Sequence, residues 1–238
     1  MDPALAAAFH ATWPAESVRE VGGFHVAHGH GGGDRVNSAY VVGGWRDADI
    51  AGVIGLQRDW QQPSRFLVLD EDEPLAATLT ALGFQPARAT AILQIETARL
   101  TGLEIPPVTA FDLWPALAIQ KDIWQAGGIG ADRLAVMERA ARPRTSILGR
   151  VDDRAAGAAF VAIHGGVAMV HAVEVQAELR RKGLAGWMMR RAALWAAENG
   201  ASRLALAVLR SNKPALSLYQ TMGFAEASGY RYFTQPSA

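Results

Sequence analysis

Residues 170–185 read Val170-His-Ala-Val-Glu-Val-Gln-Ala-Glu-Leu-Arg-Arg-Lys-Gly-Leu-Ala185, and residues 212–224 read Asn212-Lys-Pro-Ala-Leu-Ser-Leu-Tyr-Gln-Thr-Met-Gly-Phe224. The first stretch predicts an apolar strand, Met169 to Val175, that runs into a basic turn containing Gly183. A helix follows, with Leu184, Met188, Leu194 and Trp195 near helical spacing and Asn199-Gly200 as its stop signal. The first amides of a helix have no partner within it, so a turn that leads straight into a helix is a ready anion site. Gly183 lets a ligand approach the backbone, and small Ala185 keeps the first helical turn open. Arg180, Arg181 and Lys182 add point charges suited to phosphate. The physical reading is a pyrophosphate cradle. Working outward, Leu204-Ala-Leu-Ala-Val208 alternates like a strand, after which Asn212 and Pro214 open a short helix that ends at Gly223-Phe224.

The ordered series Arg-x-x-Gly-x-Ala, strand, Asn-x-x-Ala-x-x-Leu-Tyr-x-x-x-Gly-Phe resembles the GNAT superfamily of N-acetyltransferases. The resemblance is strong over residues 155–233 and vaguer upstream. It implies an α/β fold, in which a mixed central β-sheet is flanked by helices, and acetyl-CoA as co-substrate. It also implies direct attack of a primary amine on the thioester. The turn Arg180, Arg181, Lys182, Gly183, Leu184, Ala185 and Gly186 would hold the pyrophosphate. Asn212 and Ala215 would lie on the other side of the cofactor, with Asn212 bonding the pantetheine arm or capping its helix. The backbone of Val173 and Val175 would dock pantetheine, with the Val175 N–H as oxyanion donor. Tyr219 would be the general acid beside the sulfur.

Such a reaction also needs a group to take the amine proton. His171 and Glu174 are the polar residues of an otherwise apolar strand. Serotonin-type N-acetyltransferases are similar in carrying a strand histidine here. An imidazole with an unperturbed pKa of about 6.5 suits that work, while Glu174 could act through water or bind the amine's charge. The two differ in parity, so an unbroken strand would point them to opposite faces and a bulge would reverse that. The choice between them stays open.

The first hundred residues predict a helix over 3–12, strands over 18–27 and 36–42, and between them a mobile, solvated loop, His28-Gly-His-Gly-Gly-Gly-Asp34. His25, His28 and His30 lack acidic partners at ligand spacing, and no metal is expected. A helix over 48–60, a strand over 66–69, a helix opened by Glu73-Pro74 and a strand over 91–95 follow. The Pro74 to Gly83 interval equals that from Pro214 to Gly223, which reads as an internal repeat. The earlier copy has Leu79 where the later has Tyr219, and it has no phosphate turn. The expected organisation is therefore a degenerate GNAT-like unit over 1–100 and a catalytic unit over 106–238, divided near Gly102 and Pro106-Pro107. In the second unit helices are expected over 113–125 and 132–141, with Trp114 and Trp124 lining a pocket or, the simpler reading, packing the core, and strands over 146–151 and 156–164.

Lysine plus arginine (23) balances aspartate plus glutamate (23), so no global field draws nucleic acid or anionic membrane. With no cysteine there is no disulfide, thiolate metal site or cysteine nucleophile. No apolar run approaches the roughly 18–20 residues needed to span a bilayer, and the N-terminus has no cationic leader. A cytoplasmic enzyme, monomer or homodimer, with a small-molecule or peptide amine acceptor is the expectation. A non-catalytic acyl-CoA sensor, or transfer of another acyl group, is the alternative.

Overall fold

A computed structural model describes residues 1–235. Its frame is an eleven-stranded sheet whose strands, numbered along the chain, lie in the order β1-β2-β3-β4-β11-β5-β10-β9-β8-β7-β6. The first six are β1 (Ser17–Val21), β2 (Phe24–His28), β3 (Ala39–Val41), β4 (Arg65–Leu69), β5 (Gln85–Glu96) and β6 (Ala110–Leu113). The others are β7 (Arg144–Val151), β8 (Arg154–His164), β9 (Val167–Val175), β10 (Arg203–Leu209) and β11 (Ala225–Thr234). The helices are α1 (Pro3–Ala11), α2 (Asp47–Asp59), α3 (Glu73–Ala81), α4 (Ala118–Ala126), α5 (Ala131–Arg139), α6 (Leu184–Glu198) and α7 (Lys213–Thr221).

The repeated sequence forms a repeated structure. Asp72 caps α3 by accepting from the Leu75 amide, and Asn212 caps α7 by accepting from the Ala215 amide. Each helix has proline in its first turn, where a missing N–H costs nothing, and each is followed by a glycine with positive φ, Gly83 and Gly223. The strands that follow are exchanged. β5, from the first hundred residues, pairs antiparallel with β10, from Glu96 opposite Arg203 to Thr90 opposite Leu209. β11 crosses the other way and pairs antiparallel with β4, from Tyr230 opposite Leu69 to Thr234 opposite Arg65. The two exchanged strands also pair with each other, so the sheet is unbroken from end to end.

Apolar residues at helical spacing fix which face each helix covers. Leu184, Met188, Ala192 and Trp195 of α6 bury against Ile147, Val161, Val170 and Leu206 on one face. On the other, Ile123 and Trp124 of α4 and Val136 and Met137 of α5 pack with Phe160 and Trp13. Leu5, Ala8 and Phe9 place α1 beneath β9, β10, β5 and β11. The first residues of the chain therefore lie under strands that belong mostly to its second half.

Some expectations are corrected. The single strand predicted over 18–27 is a hairpin, because Gly22 (φ 54) turns the chain between β1 and β2. Residues 110–113 form an edge strand on β7, and the helix begins only at Ala118. The glycine loop after His28 is tied down: the Gly32 amide donates to Asp132 Oδ2 of α5 at 2.7 Å, and Asn37 Nδ2 donates to the carbonyls of Gly31 and Gly33. His28 stacks on Trp60, and among the described residues no three His, Asp or Glu side chains converge as metal ligands. No helix among them is long and apolar enough to cross a membrane.

Candidate active site

Parallel pairing between β9 and β10 extends from Val167 opposite Arg203 only to Val170 opposite Leu206. Beyond that point the strands part and open a cleft of about 1120 Å³. Its walls include β9 from Val170 to Val175, the first turn of α6, and Asn212, Ala215 and Tyr219 at α7. The same cleft reaches Trp13, Gly32, Gly33 and Arg35 from the first part of the chain and Arg133 from α5.

The free edge of β9 follows from its register. Gln176 donates its amide to Ala156 O at 2.9 Å, which fixes the residues that face β8. Backbone direction alternates along an antiparallel strand, so Glu174 also faces β8 while Val173 and Val175 turn their amides toward the opening. The Val175 carbonyl is taken by Arg180 Nε at 2.8 Å, and its N–H is left to the cleft.

A bulge decides where the polar side chains point. Pairing shifts between Ala158 opposite Glu174 and Phe160 opposite His171, and Ala172 adopts φ 51. The extra residue restores parity, so His171 and Glu174 leave the strand on the same face. His171 meets Trp13 and Phe160 there. Glu174 lies so close to Gly127, just past α4, that a Cβ at that glycine would stand 2.7 Å from the carboxylate. Val170, Val173 and Val175 pack on the α6 side. Trp124 Nε1 donates to the Ala172 carbonyl at 2.8 Å and holds the bulge. This indole is buried, as the core reading expects, and it also shapes the site through that hydrogen bond.

His171 is buried with both ring nitrogens engaged. Thr12 Oγ1 donates its one hydrogen to Ala8 O at 2.7 Å, so at the 2.9 Å contact between them Nε2 is the donor and the Thr12 oxygen accepts. Arg35 Nη2 lies 3.1 Å from Nδ1. A guanidinium has only donors, so Nδ1 accepts. These partners select the neutral tautomer protonated on Nε2. Burial, then the charge of Arg35, holds the imidazole pKa well below its ordinary value. Nothing in the sequence marked Arg35, which lies 136 positions from His171 in a short 3-10 turn, Asp34–Asn37.

The basic turn divides its three cations. Arg180 forms an ion pair with Glu174 at 2.9 Å. Lys182 pairs with Asp152 at 2.5 Å on the other side of the turn, where it lines a separate hollow with Arg150 and Trp187. Arg181 lines the main cleft, with no carboxylate partner among the described residues. Gly183 caps α6 at φ 78, and a Cβ there would project into open space. The Leu184 and Ala185 amides precede the first bonds of the helix, which run from Gly186 and Trp187 to Gly183 O, and are unpartnered in the sense general to helix starts. Donors, an open approach and one uncommitted cation together fit a pyrophosphate.

Tyr219 is buried against Phe224, their rings 5.6 Å apart. Desolvation pushes its pKa up to about 12, and no hydrogen bond opposes the shift. The phenol lines the cleft and keeps its proton at neutral pH.

Residues 113–224 match the family model described as the Acetyltransferase (GNAT) family. That stretch is similar to a GNAT acetyltransferase domain. The parted strands and the open helix start both lie within the matched stretch. Over the whole length the fold is similar to a GCN5-related N-acetyltransferase from Kribbella flavida, with 18% identity, a TM-score of 0.76, and 100% of this chain and 97% of that one covered. It is similar also to a GCN5-related N-acetyltransferase from Sphaerobacter thermophilus, with 14% identity, a TM-score of 0.61, and 84% of this chain and 74% of that one covered. A tandem GNAT protein from the clavulanic acid biosynthesis pathway aligns over 84% of this chain and 76% of its own, with 16% identity and a TM-score of 0.61. Identities this low speak to the fold. Compared by sequence, no curated protein matches the chain.

Proposed function

We propose that the chain is an acetyl-CoA-dependent N-acetyltransferase that acylates a primary amine by direct attack on the thioester. One observation carries the reading: a single cleft brings together the free β9 edge, the open start of α6 and the neutral phenol of Tyr219. Acetyl-CoA, when bound, supplies an acyl group already activated as a thioester. The α6 amides, with Arg181, hold phosphate. Val173 and Val175 direct N–H groups at the oxygen on which negative charge develops.

Glu174 is the better proton acceptor of the two strand candidates, because His171 already uses its lone pair on Arg35. The amine's proton passes to the Glu174 carboxylate, the C–N bond forms and the C–S bond breaks. Tyr219 protonates the departing thiolate, and solvent carries the proton from Glu174 back to the phenolate. His171 positions rather than reacts, joining the bulge to Thr12 and Arg35. The division into units over 1–100 and 106–238, joined by exchanged strands, belongs to the same reading. The first unit supplies acceptor-side wall and no phosphate site.

The test is incubation with acetyl-CoA and a mixed pool of primary amines, followed by free thiol and acetylated product. Thiol released in step with an N-acetylated product supports transfer. Tight acetyl-CoA binding with no product from any amine contradicts it.

A further inference from the structure

The acceptor's chemical class is legible at the end of the cleft remote from the α6 turn. Arg35 reaches that end from the 3-10 turn of residues 34–37. Its guanidinium lies over Phe9 at 4.4 Å and Trp13 at 5.7 Å and donates one N–H to His171. Aromatic faces and an imidazole lone pair orient a cation without neutralising it. Neighbouring Asp34 is committed elsewhere, to Arg65 at 3.1 Å and Arg88 at 3.2 Å. Among the described residues no carboxylate pairs with Arg35. Its remaining donors are not among the buried unpartnered atoms, and the residue lines the cleft.

The surroundings are arranged around this charge. The loop that carries it is pinned to α5 by the Gly32–Asp132 hydrogen bond. His171 presents a lone pair to it. His10, stacked on Tyr40 at 4.0 Å, also feels it. Tyr230 and Tyr232 line the same cleft and lie near enough to Arg35 to act on its charge. A partly desolvated guanidinium with a planar fork of donors matches a carboxylate better than any neutral group. On the same face of β9, at most about 10 Å of strand separates the Cα atoms of His171 and Glu174. Anion and cation sites are therefore presented together.

We propose that the acceptor is an amino acid-like amine, a molecule that carries a carboxylate bound by Arg35 while its amino group is directed toward Glu174. This rests on the N-acetyltransferase reading of the same cleft and narrows it, since a simple polyamine or aryl alkylamine has nothing to offer Arg35. Arg35 acts here in substrate binding and takes no part in proton transfer.

The test compares matched acceptors that differ only in the acid: each amino acid against its decarboxylated amine and its carboxamide, with a phosphate-bearing amine as a further arm. Thiol release is followed in the wild type and in Arg35→Gln, and acetyl-CoA affinity is measured separately by calorimetry. The expected result is a preference of at least tenfold in kcat/KM for the carboxylated member of each accepted set. In Arg35→Gln that preference should collapse through KM, with acetyl-CoA affinity kept. A misfolded variant would lose acetyl-CoA as well, and Arg35→Lys, which keeps the charge, then serves as the comparison and should retain part of the preference. Equal use of acid and amine, or preference for the phosphate-bearing amine, overturns the assignment. If no amine is acetylated, the same sets are titrated into the CoA complex, where failure of every carboxylate to bind at millimolar concentration also overturns it. Loss of acetyl-CoA binding by the wild type would instead overturn the transferase reading.

Discussion

Arg35 and His171 stand 136 positions apart in the chain and meet through a 3.1 Å hydrogen bond to Nδ1. An imidazole so held cannot gain a proton there without losing this bond and facing a second cation. His171 should therefore show no titration near pH 6.5 in an NMR pH series on the folded protein. A midpoint at the ordinary imidazole value would mean that the Arg35 contact is not kept in solution, and His171 would return as a candidate base.

The same logic gives stability a slope. His10 is held down to about 4, by burial first and then by the charges of Arg35 and His25, and His171 also lies well below the ordinary value. Between that value, about 6.5, and the folded pKa the unfolded chain binds more protons, so stability falls as pH drops through the window. His10 alone should cost roughly 2 kcal/mol between pH 6.5 and pH 5. Urea unfolding at both pH values should show the loss, and His10→Gln should remove that share of it. A variant with an undiminished loss would show that His10 is not the source.

Tyr219→Phe removes the phenol and keeps the ring packed on Phe224. Turnover should fall by roughly ten- to a thousandfold, the range of a positioned proton donor or part of it, while acetyl-CoA affinity changes little. Unchanged turnover would leave Tyr219 a packing residue.

The bulge can be tested from both of its ends. Ala172 sits at φ 51, a conformation that glycine takes without strain, so Ala172→Gly should keep turnover within about threefold. Trp124→Phe leaves the Ala172 carbonyl without its donor, at a cost of about 1–3 kcal/mol. It should lower kcat by releasing Glu174 from its direction. Equal activity in the tryptophan variant would mean that the bulge holds itself.

Strand exchange predicts dependence between the two parts of the chain. Residues 106–238 expressed alone lack β5, which pairs with β10 over seven positions from Arg203 to Leu209. That fragment should bind acetyl-CoA poorly, and co-expression with residues 1–100 should restore binding. Full affinity in the isolated fragment would mean that β11 can take the place of β5.

What was legible in the sequence was what local chemistry dictates. Gly183 at a helix start, proline in the first turn of α7 and Gly223 after that helix each impose a backbone conformation that shows in the letters. The repeat was visible for the same reason in Pro74 and Gly83. The exchange of β5 and β11 was not legible, since an apolar strand reads alike whichever strand it joins. The β1–β2 hairpin carried its signal, Gly22-Gly23, within a run that otherwise reads as one strand. Parity placed His171 and Glu174 on opposite faces until an insertion at Ala172, which no residue type announces, brought them together. Arg35 could not be found at all, because its partners His171, Phe9 and Trp13 gather only through folding.

The measurement that bears most directly on the central claim is calorimetric titration of the protein with acetyl-CoA, repeated on Gly183→Glu. The φ of 78 strains any side chain at Gly183, and the open space there lets that side chain project into the mouth of the cradle. A glutamate adds both strain and a negative charge where phosphate would lie. Saturable binding is expected for the wild type, and at least a hundredfold loss in a variant that still unfolds cooperatively. Equal binding by both would contradict it, and the phosphates would have to be sought away from α6.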